Sequence, residues 1–494
     1  MHQKKKIVLL LDGTWASRTQ ALMQCFRSRS GEERLSNVGV AGSVLAVALL
    51  AQAIKTENAD GIPQICFYQE GVGTSVGLLT NIISGATGAG LSQNLIEAYS
   101  FIVDNYNPGD ELFLIGFSRG AYTARALSGF ILWAGIMSKA ALRHIQPIYQ
   151  AYRKRSPSKP EDTDLAAQVL WRYTGIWPSA ESMRVEQLVV EQHAVTAAAR
   201  AATSAWGSKL GLSSGGKGEG PDPGGARRQL RASTSTLEVE LEEQVERGPR
   251  AQPPNVKFLG VMDTVGALGV PGKFGTRWAR QFYELFDTGL SSNVEYAWQA
   301  LALGEERADF SPTLWYHFEP HNGQELSEIW FGGSHANVGG TLAHHGLSDI
   351  VLACLCAHLT DRGERPMLEL DIEHVKNTQD RSAAWAKEEP YKSRWFFEFR
   401  KIRQVCGMLK TGPSGENGDE DNGSAKEPRW ADEIPYGPNK EMLHHSIVMS
   451  GRIDPATAPQ FQVLRQRDPE RLGKMWDSAA NASSLLPTEC YLRW

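Results

Sequence analysis

Cysteine is scarce in this chain, with only Cys25, Cys66, Cys354, Cys356, Cys406 and Cys490 among 494 residues. None forms a Cys-x-x-Cys pair, which excludes a zinc-ribbon spacing and the framework of a disulfide-rich secreted domain. Reduced thiols in a soluble, cytoplasmic protein are the expectation. Long apolar runs are missing too. Val44–Ala53 falls well short of the roughly 20 residues that a membrane-spanning helix needs. Ile7–Leu11, behind three lysines, stops at Asp12 and is too short for the core of a signal peptide. No transmembrane segment is expected, though peripheral contact with a membrane stays open. Positive charge is not in excess: 51 Lys and Arg face 56 Asp and Glu, so the footprint of a nucleic-acid binder is absent. The glycine-rich stretch Gly71–Gly90 lacks Gly-Lys-[Ser/Thr] and does not fit Gly-x-Gly-x-x-Gly. It reads as a mobile loop bordering a cleft, with no nucleotide cofactor implied.

What the chain does contain is an alternation of strand-like and helix-like segments. The continuous apolar run Ile7–Leu11 reads as a strand covered on both faces of a sheet, and Gln64–Gln69, Glu111–Phe117, Val256–Met262 and Glu328–Phe331 read as further strands. Helical patterns lie at Val38–Lys55, Ser92–Asn105, about Ala121–Met137, about 276–304 and Leu347–Leu359. This order predicts an α/β fold, a mostly parallel sheet with helices on both faces. Residues 1–140 form the first half of such a core, and 255–410 the second. Between them, 141–206 (helical around 142–153, 163–173 and 183–206) is expected to be a cap-like insertion, and 207–254 a disordered, low-complexity linker. A second, acidic and glycine-rich linker covers 411–428, followed by a C-terminal segment at 429–494. The sequence does not fix an oligomeric state.

Gly116-Phe117-Ser118-Arg119-Gly120 follows a strongly apolar strand and opens a helix. That is the context of a nucleophile elbow, where glycines two residues either side of a serine let backbones approach. Gly211-Leu212-Ser213-Ser214-Gly215 has the same pattern but lies in the low-complexity insertion with no strand before it. A serine hydroxyl needs a base to take its proton and an acid to hold that base. Asp263 ends the fourth strand-like run, and His335 sits in a glycine-flanked loop after a later one, giving the order Ser, acid, His. Asp309 is the alternative acid; Glu305 and Glu306 are weaker ones. His344 and His345 are alternative bases, but no partner spacing makes them metal ligands, and no metal is expected. Oxyanion donors are expected from the N–H of Arg119 and from the Gly13–Thr14 turn after the first strand.

With these residues placed, the chain resembles the uncharacterised α/β-hydrolase family that includes the catalytic domains of type VI secretion phospholipase effectors. The similarity is carried by VLLLDGTW, the Ser36-Asn37-Val38 step, YQEGVGT, GATGAGLSQNLIEAY and FIVDNYNPGDELFLIGFSRGAYTARALSGFI. It continues through FLGVMDTVGALGVP, ALGEERADFSPTLW and IWFGGSHANVGGTLAHHGLSDI, with a shorter match at His445-Ser446-Ile447. The resemblance implies a Ser118–Asp263–His335 triad and hydrolysis of lipids or esters without a cofactor. Three positions depart from the family pattern: Asn337 and Gly304 stand where Asp is common, and Thr341 where Gly is. Two other classes fit parts of the chain. A degenerate hydrolase could serve as a binding or scaffold protein. An aspartate-nucleophile phosphotransferase would use Asp12, but has an Asp where Thr14 stands.

Overall fold

A strand covered on both faces is built mostly of apolar residues, and all six residues of β1 (Lys6–Leu11) are buried, with the Lys6 ammonium donating to Met367 O. The computed structural model describes residues 3–13, 46–70, 89–156, 159–184, 186–187, 248–265, 290–307, 310, 312–315, 323–342, 344–391, 402–406 and 441–493. After β1 come α1 (Ala46–Ala53), β2 (Gln64–Gln69), α2 (Ala89–Asn105), β3 (Glu111–Phe117) and α3 (Arg119–Ala134). Two helices follow, α4 (Ile145–Lys154) and α5 (Pro160–Thr174), then the strands β4 (Val256–Met262), β5 (Val294–Ala302) and β6 (Glu325–Phe331). Beyond β6 lie α6 (His335–Gly339), α7 (Gly346–Thr360), α8 (Ile372–Thr378), β7 (Glu441–Leu443) and α9 (His445–Ser450). The chain closes with α10 (Gln462–Arg467), α11 (Pro469–Ala480) and α12 (Pro487–Leu492).

The seven strands make one sheet in the order β2-β1-β3-β4-β5-β6-β7, and every pairing is parallel. The chain goes from β1 to β2 on one side and returns past β1 to β3 on the other. The carboxyl ends of β1 and β3 therefore flank the point where the crossovers diverge, the place where open α/β sheets bind ligands. Alternate residues feed two cores. Val8, Leu10, Phe113, Ile115 and Met262 pack with α1 and α7, while Ile7, Leu9, Leu112, Leu114 and Val261 pack with α2 and α3. Each such side chain contributes about 1.5–3 kcal/mol by leaving water, so a one-residue slip of register is strongly disfavoured.

The helices α4 and α5 join the second core: Tyr149 and Tyr152 stack edge-on against Phe130 of α3. A third cluster, around Trp330, Val405, Leu443, Phe461 and Leu464, ties the C-terminal helices to the outer strands. None of the described helices is long and apolar enough to cross a membrane.

One expected element is different. The helix anticipated over 276–304 is, in its described part, the strand β5. Its sequence, VEYAWQALA, is rich in helix-formers, but eight of nine residues are buried between β4 and β6. Burial on both faces erases the period-2 signal, and tertiary pairing overrides propensity. Of the helix expected at 183–206, residues up to 184 and 186–187 are helical, and the remainder lies outside the described residues. So do 14–45, 71–88, 207–247 and 411–428.

Candidate active site

A single residue, Ser118, separates β3 from α3, and it adopts φ 54° and ψ −115°. A non-glycine residue held there costs on the order of 1–3 kcal/mol, a strain that the surroundings must enforce. They do: the Ser118 N–H donates to Met262 O of β4 at 3.0 Å, and the glycines allow close approach. A Cβ on Gly120 would lie 2.1 Å from Leu11 O, and one on Gly116 would lie 2.5 Å from Gly120 C. The two glycines of the motif are thus required by backbone contact with β1 and within the turn itself.

Asp263 is the first residue after β4, again at positive φ (42°), with its N–H donating to Ala300 O of β5. His335 opens α6 just past β6. Ser334 precedes it as N-cap, and Asn337 Oδ1 accepts from both Ser334 N and Ser334 Oγ at 3.0 Å. The three strand ends bring these side chains together. His335 Nε2 lies 2.8 Å from Ser118 Oγ, and His335 Nδ1 lies 2.6 Å from Asp263 Oδ2. All three are buried.

A carboxylate at Nδ1 holds the ring proton there and leaves Nε2 to accept the serine proton. Burial alone would raise the Asp263 pKa. The Arg403 guanidinium and the His335 hydrogen bond outweigh that and hold it well below the usual carboxylate range. Arg403 Nη1 donates to Asp263 Oδ1 at 2.6 Å, and Nη2 to Oδ2 at 3.1 Å. The Ala302 N–H is a further donor to Oδ1, at 3.0 Å. The imidazole itself is stacked on Phe117 (ring centroids 4.7 Å apart) and meets Phe310 edge-on at 5.0 Å.

Other expected residues fall elsewhere. Glu305 contacts the backbone of His335, not its ring: Oε2 accepts the His335 N–H at 3.1 Å while Arg307 pairs with both carboxylate oxygens. Glu306 is exposed. His344 is exposed beside Asp380, and His345 Nδ1 bonds Asp349 at 2.9 Å. Asp309 and Thr14 lie outside the described residues. Gly13 sits against the serine, since a Cβ there would be 3.0 Å from both Ser118 Cβ and the Phe117 ring. Its N–H donates to Asp12 Oδ1 at 3.1 Å. Arg119 is the first residue of α3, directly after Ser118.

Asp12 is itself buried, with Tyr68 donating to Oδ2 at 2.6 Å; burial pushes its carboxyl up to about 7. That suits a turn-shaping residue better than an ionised nucleophile.

Nothing in the residue pattern pointed to Arg403 or to the packing of Phe117 and Phe310 on the imidazole, whereas Asn337 stood out only as a departure from the family's Asp. Besides Ser334, Asn337 Oδ1 accepts the Tyr391 N–H at 3.0 Å, so an amide oxygen fills the acceptor role a carboxylate would have there. At Gly304 a Cβ would meet Gly333 O at 3.0 Å, a tight fit for any side chain. Thr341 follows the helix-ending Gly340, with its N–H on Ala336 O.

Cys354, His444 and Glu489 place three buried ligand-type atoms within 4.8 Å of one another. However, His444 Nδ1 accepts the Ser446 N–H at 3.1 Å, which leaves the ring proton on Nε2, facing Glu489. A metal would need that nitrogen bare, and burial pushes the Cys354 thiol up, away from the thiolate form. The donor set fits a hydrogen-bonded His–Glu pair beside a neutral thiol.

The family model for the type VI secretion system phospholipase effector Tle1-like catalytic domain matches residues 5–358. An uncharacterised protein of Saccharomyces cerevisiae is 32% identical over 111 residues, 20% of this chain and 16% of that protein. The Tle1 effector solved bound to the VgrG spike of the type 6 secretion system is 16% identical, with a TM-score of 0.25 over 68% of this chain and 51% of that one. An uncharacterised protein from Pseudomonas aeruginosa is also 16% identical, with a TM-score of 0.31 over 71% of this chain and 45% of that one. The chain spans about half the length of these solved relatives and a small part of the yeast protein.

Proposed function

Because the chain belongs to the family of type VI secretion phospholipase effector Tle1-like catalytic domains, we propose that it is a serine hydrolase cleaving carboxylic ester bonds of lipids, phospholipids among them. The observation that carries this reading is the buried chain of contacts from Ser118 Oγ through His335 to Asp263 at the carboxyl edge of the sheet. His335 Nε2 takes the Ser118 proton as Oγ attacks the ester carbonyl carbon. Asp263 holds the tautomer and stabilises the imidazolium that forms. The oxyanion rests on the Arg119 N–H and the Gly13–Thr14 turn, where substrate competes with Asp12 for the Gly13 N–H. The imidazolium then protonates the departing alkoxide. Water, deprotonated by His335, then attacks the acyl-serine; the C–Oγ bond breaks, the imidazolium returns its proton to Ser118 Oγ, and the fatty acid leaves. No step calls on a metal or organic cofactor.

The test is product identity. Purified protein is incubated with phosphatidylcholine and phosphatidylglycerol vesicles and with short-chain esters, with and without EDTA, alongside Ser118→Ala. Release of free fatty acid, insensitive to EDTA and lost in the variant, is the expected result. A folded protein that releases fatty acid from none of these substrates would contradict the proposal and favour a binding role. Phosphate release that needs Mg²⁺ and survives Ser118→Ala would point to Asp12 instead.

A further inference from the structure

Arg403 lies beyond residue 358, where the family match ends, yet its side chain is buried and forks onto both oxygens of Asp263. The same guanidinium donates to Ala302 O at 2.8 Å and to Phe310 O at 2.5 Å. It therefore ties together the end of β5, the acid, and the residue whose ring meets the edge of His335. Its own position is fixed from the C-terminal side. Val405 is fully buried in the third cluster with Phe461 and Leu464, its N–H donates to Gln460 O, and the Cys406 N–H donates to Glu441 Oε2 at 2.9 Å.

We propose that Arg403 is a positioning residue for the reaction, and that the C-terminal segment which holds it is part of the catalytic unit. This rests on the hydrolase reading above. A carboxylate whose four contacts are all donors cannot rotate away from His335, and a planar fork fixes it better than a point charge does. The charged and titratable groups facing this carboxylate are few among the described residues. Arg403 and His335 touch it, and Glu305 with its partner Arg307 stands behind the His335 backbone. Without the guanidinium, burial dominates and Asp263 takes up a proton at higher pH. The carboxylate also loses two of the donors that hold it against His335, and its charge is weakened first at the acid end of the pH range.

The experiment measures the rate of labelling by a fluorescent fluorophosphonate against pH, in the full chain, for wild type, Arg403→Met, Arg403→Gln and Arg403→Lys, with melting temperatures alongside. The acid limb of the profile is expected to move up in the Met and Gln variants, and by less in the Lys variant, which keeps a charge. A merely structural role would lower the melting temperature and the amount of labelled protein but leave the limb in place. The Gln variant carries the test if the Met variant does not fold. An unmoved limb in a folded, labelling variant would overturn the inference and leave the hydrolase standing. Absence of labelling in wild type would sink both.

Discussion

Asp12 offers a prediction whose size follows from its surroundings. Its carboxyl lies at the end of β1, 3% exposed, where burial raises the pKa and the bonds from Tyr68 and Gly13 only partly offset that. The folded state therefore holds the Asp12 proton more tightly than the unfolded chain does. At low pH, with the carboxyl protonated in both states, Asp12 costs nothing. As pH rises from the unfolded value of 3.8 to about 7, stability is lost, and above that the loss is complete. At 1.36 kcal/mol per pH unit, the gap amounts to at most about 4 kcal/mol. Asp12→Asn removes the ionisation, keeps an oxygen for the Gly13 N–H, and reverses the Tyr68 bond so that the amide donates. Urea unfolding should show the variant more stable than wild type at about pH 8, with the advantage shrinking steadily towards about pH 4. Parallel stability curves for the two proteins, or a less stable variant at the higher pH, would refute the reasoning.

Four further substitutions, at three positions, probe the site. Gly339→Ala would put a Cβ 2.0 Å from the Phe117 ring, so it should cost about 1–3 kcal/mol of stability and slow fluorophosphonate labelling by moving the ring that stacks on His335. Asn337→Asp keeps the oxygen that three donors share, and should label within a few-fold of wild type by fluorophosphonate kinetics. Asn337→Leu, with no acceptor for Ser334 or Tyr391, should be destabilised by roughly 1–3 kcal/mol in thermal unfolding. Asp263→Asn should cut turnover of a soluble ester by about 10⁴-fold, because the amide leaves His335 in the wrong tautomer.

Much of the fold was legible in the residues themselves. β1, β3 and β4 announce themselves as largely apolar runs whose polar residues stand at their amino ends, because strands buried on both faces need few polar positions. The same property hid β5, whose alanines, leucine and glutamine read as helix once alternation was gone. β7, three residues long, has too little sequence to carry a pattern. For the site, the Gly-x-Ser-x-Gly turn and the order Ser, Asp, His point to residues that the sheet does bring together. Arg403 left no trace, since one arginine among Arg394, Arg400 and Arg403 has no spacing to mark it; only the packing of Val405 and its neighbours aims it at Asp263. Glu305 was weighed as an acid for the imidazole, and its role as acceptor for the His335 backbone depends on a turn geometry that no motif encodes.

The central claim is that Ser118 is an activated nucleophile. Its most direct measurement is the mass spectrum of the protein after fluorophosphonate treatment, with the adduct located by peptide mapping. One adduct, on Ser118, is expected in wild type and none in folded His335→Ala. A folded wild type that gains no adduct, or one that carries it on another serine, would contradict the claim.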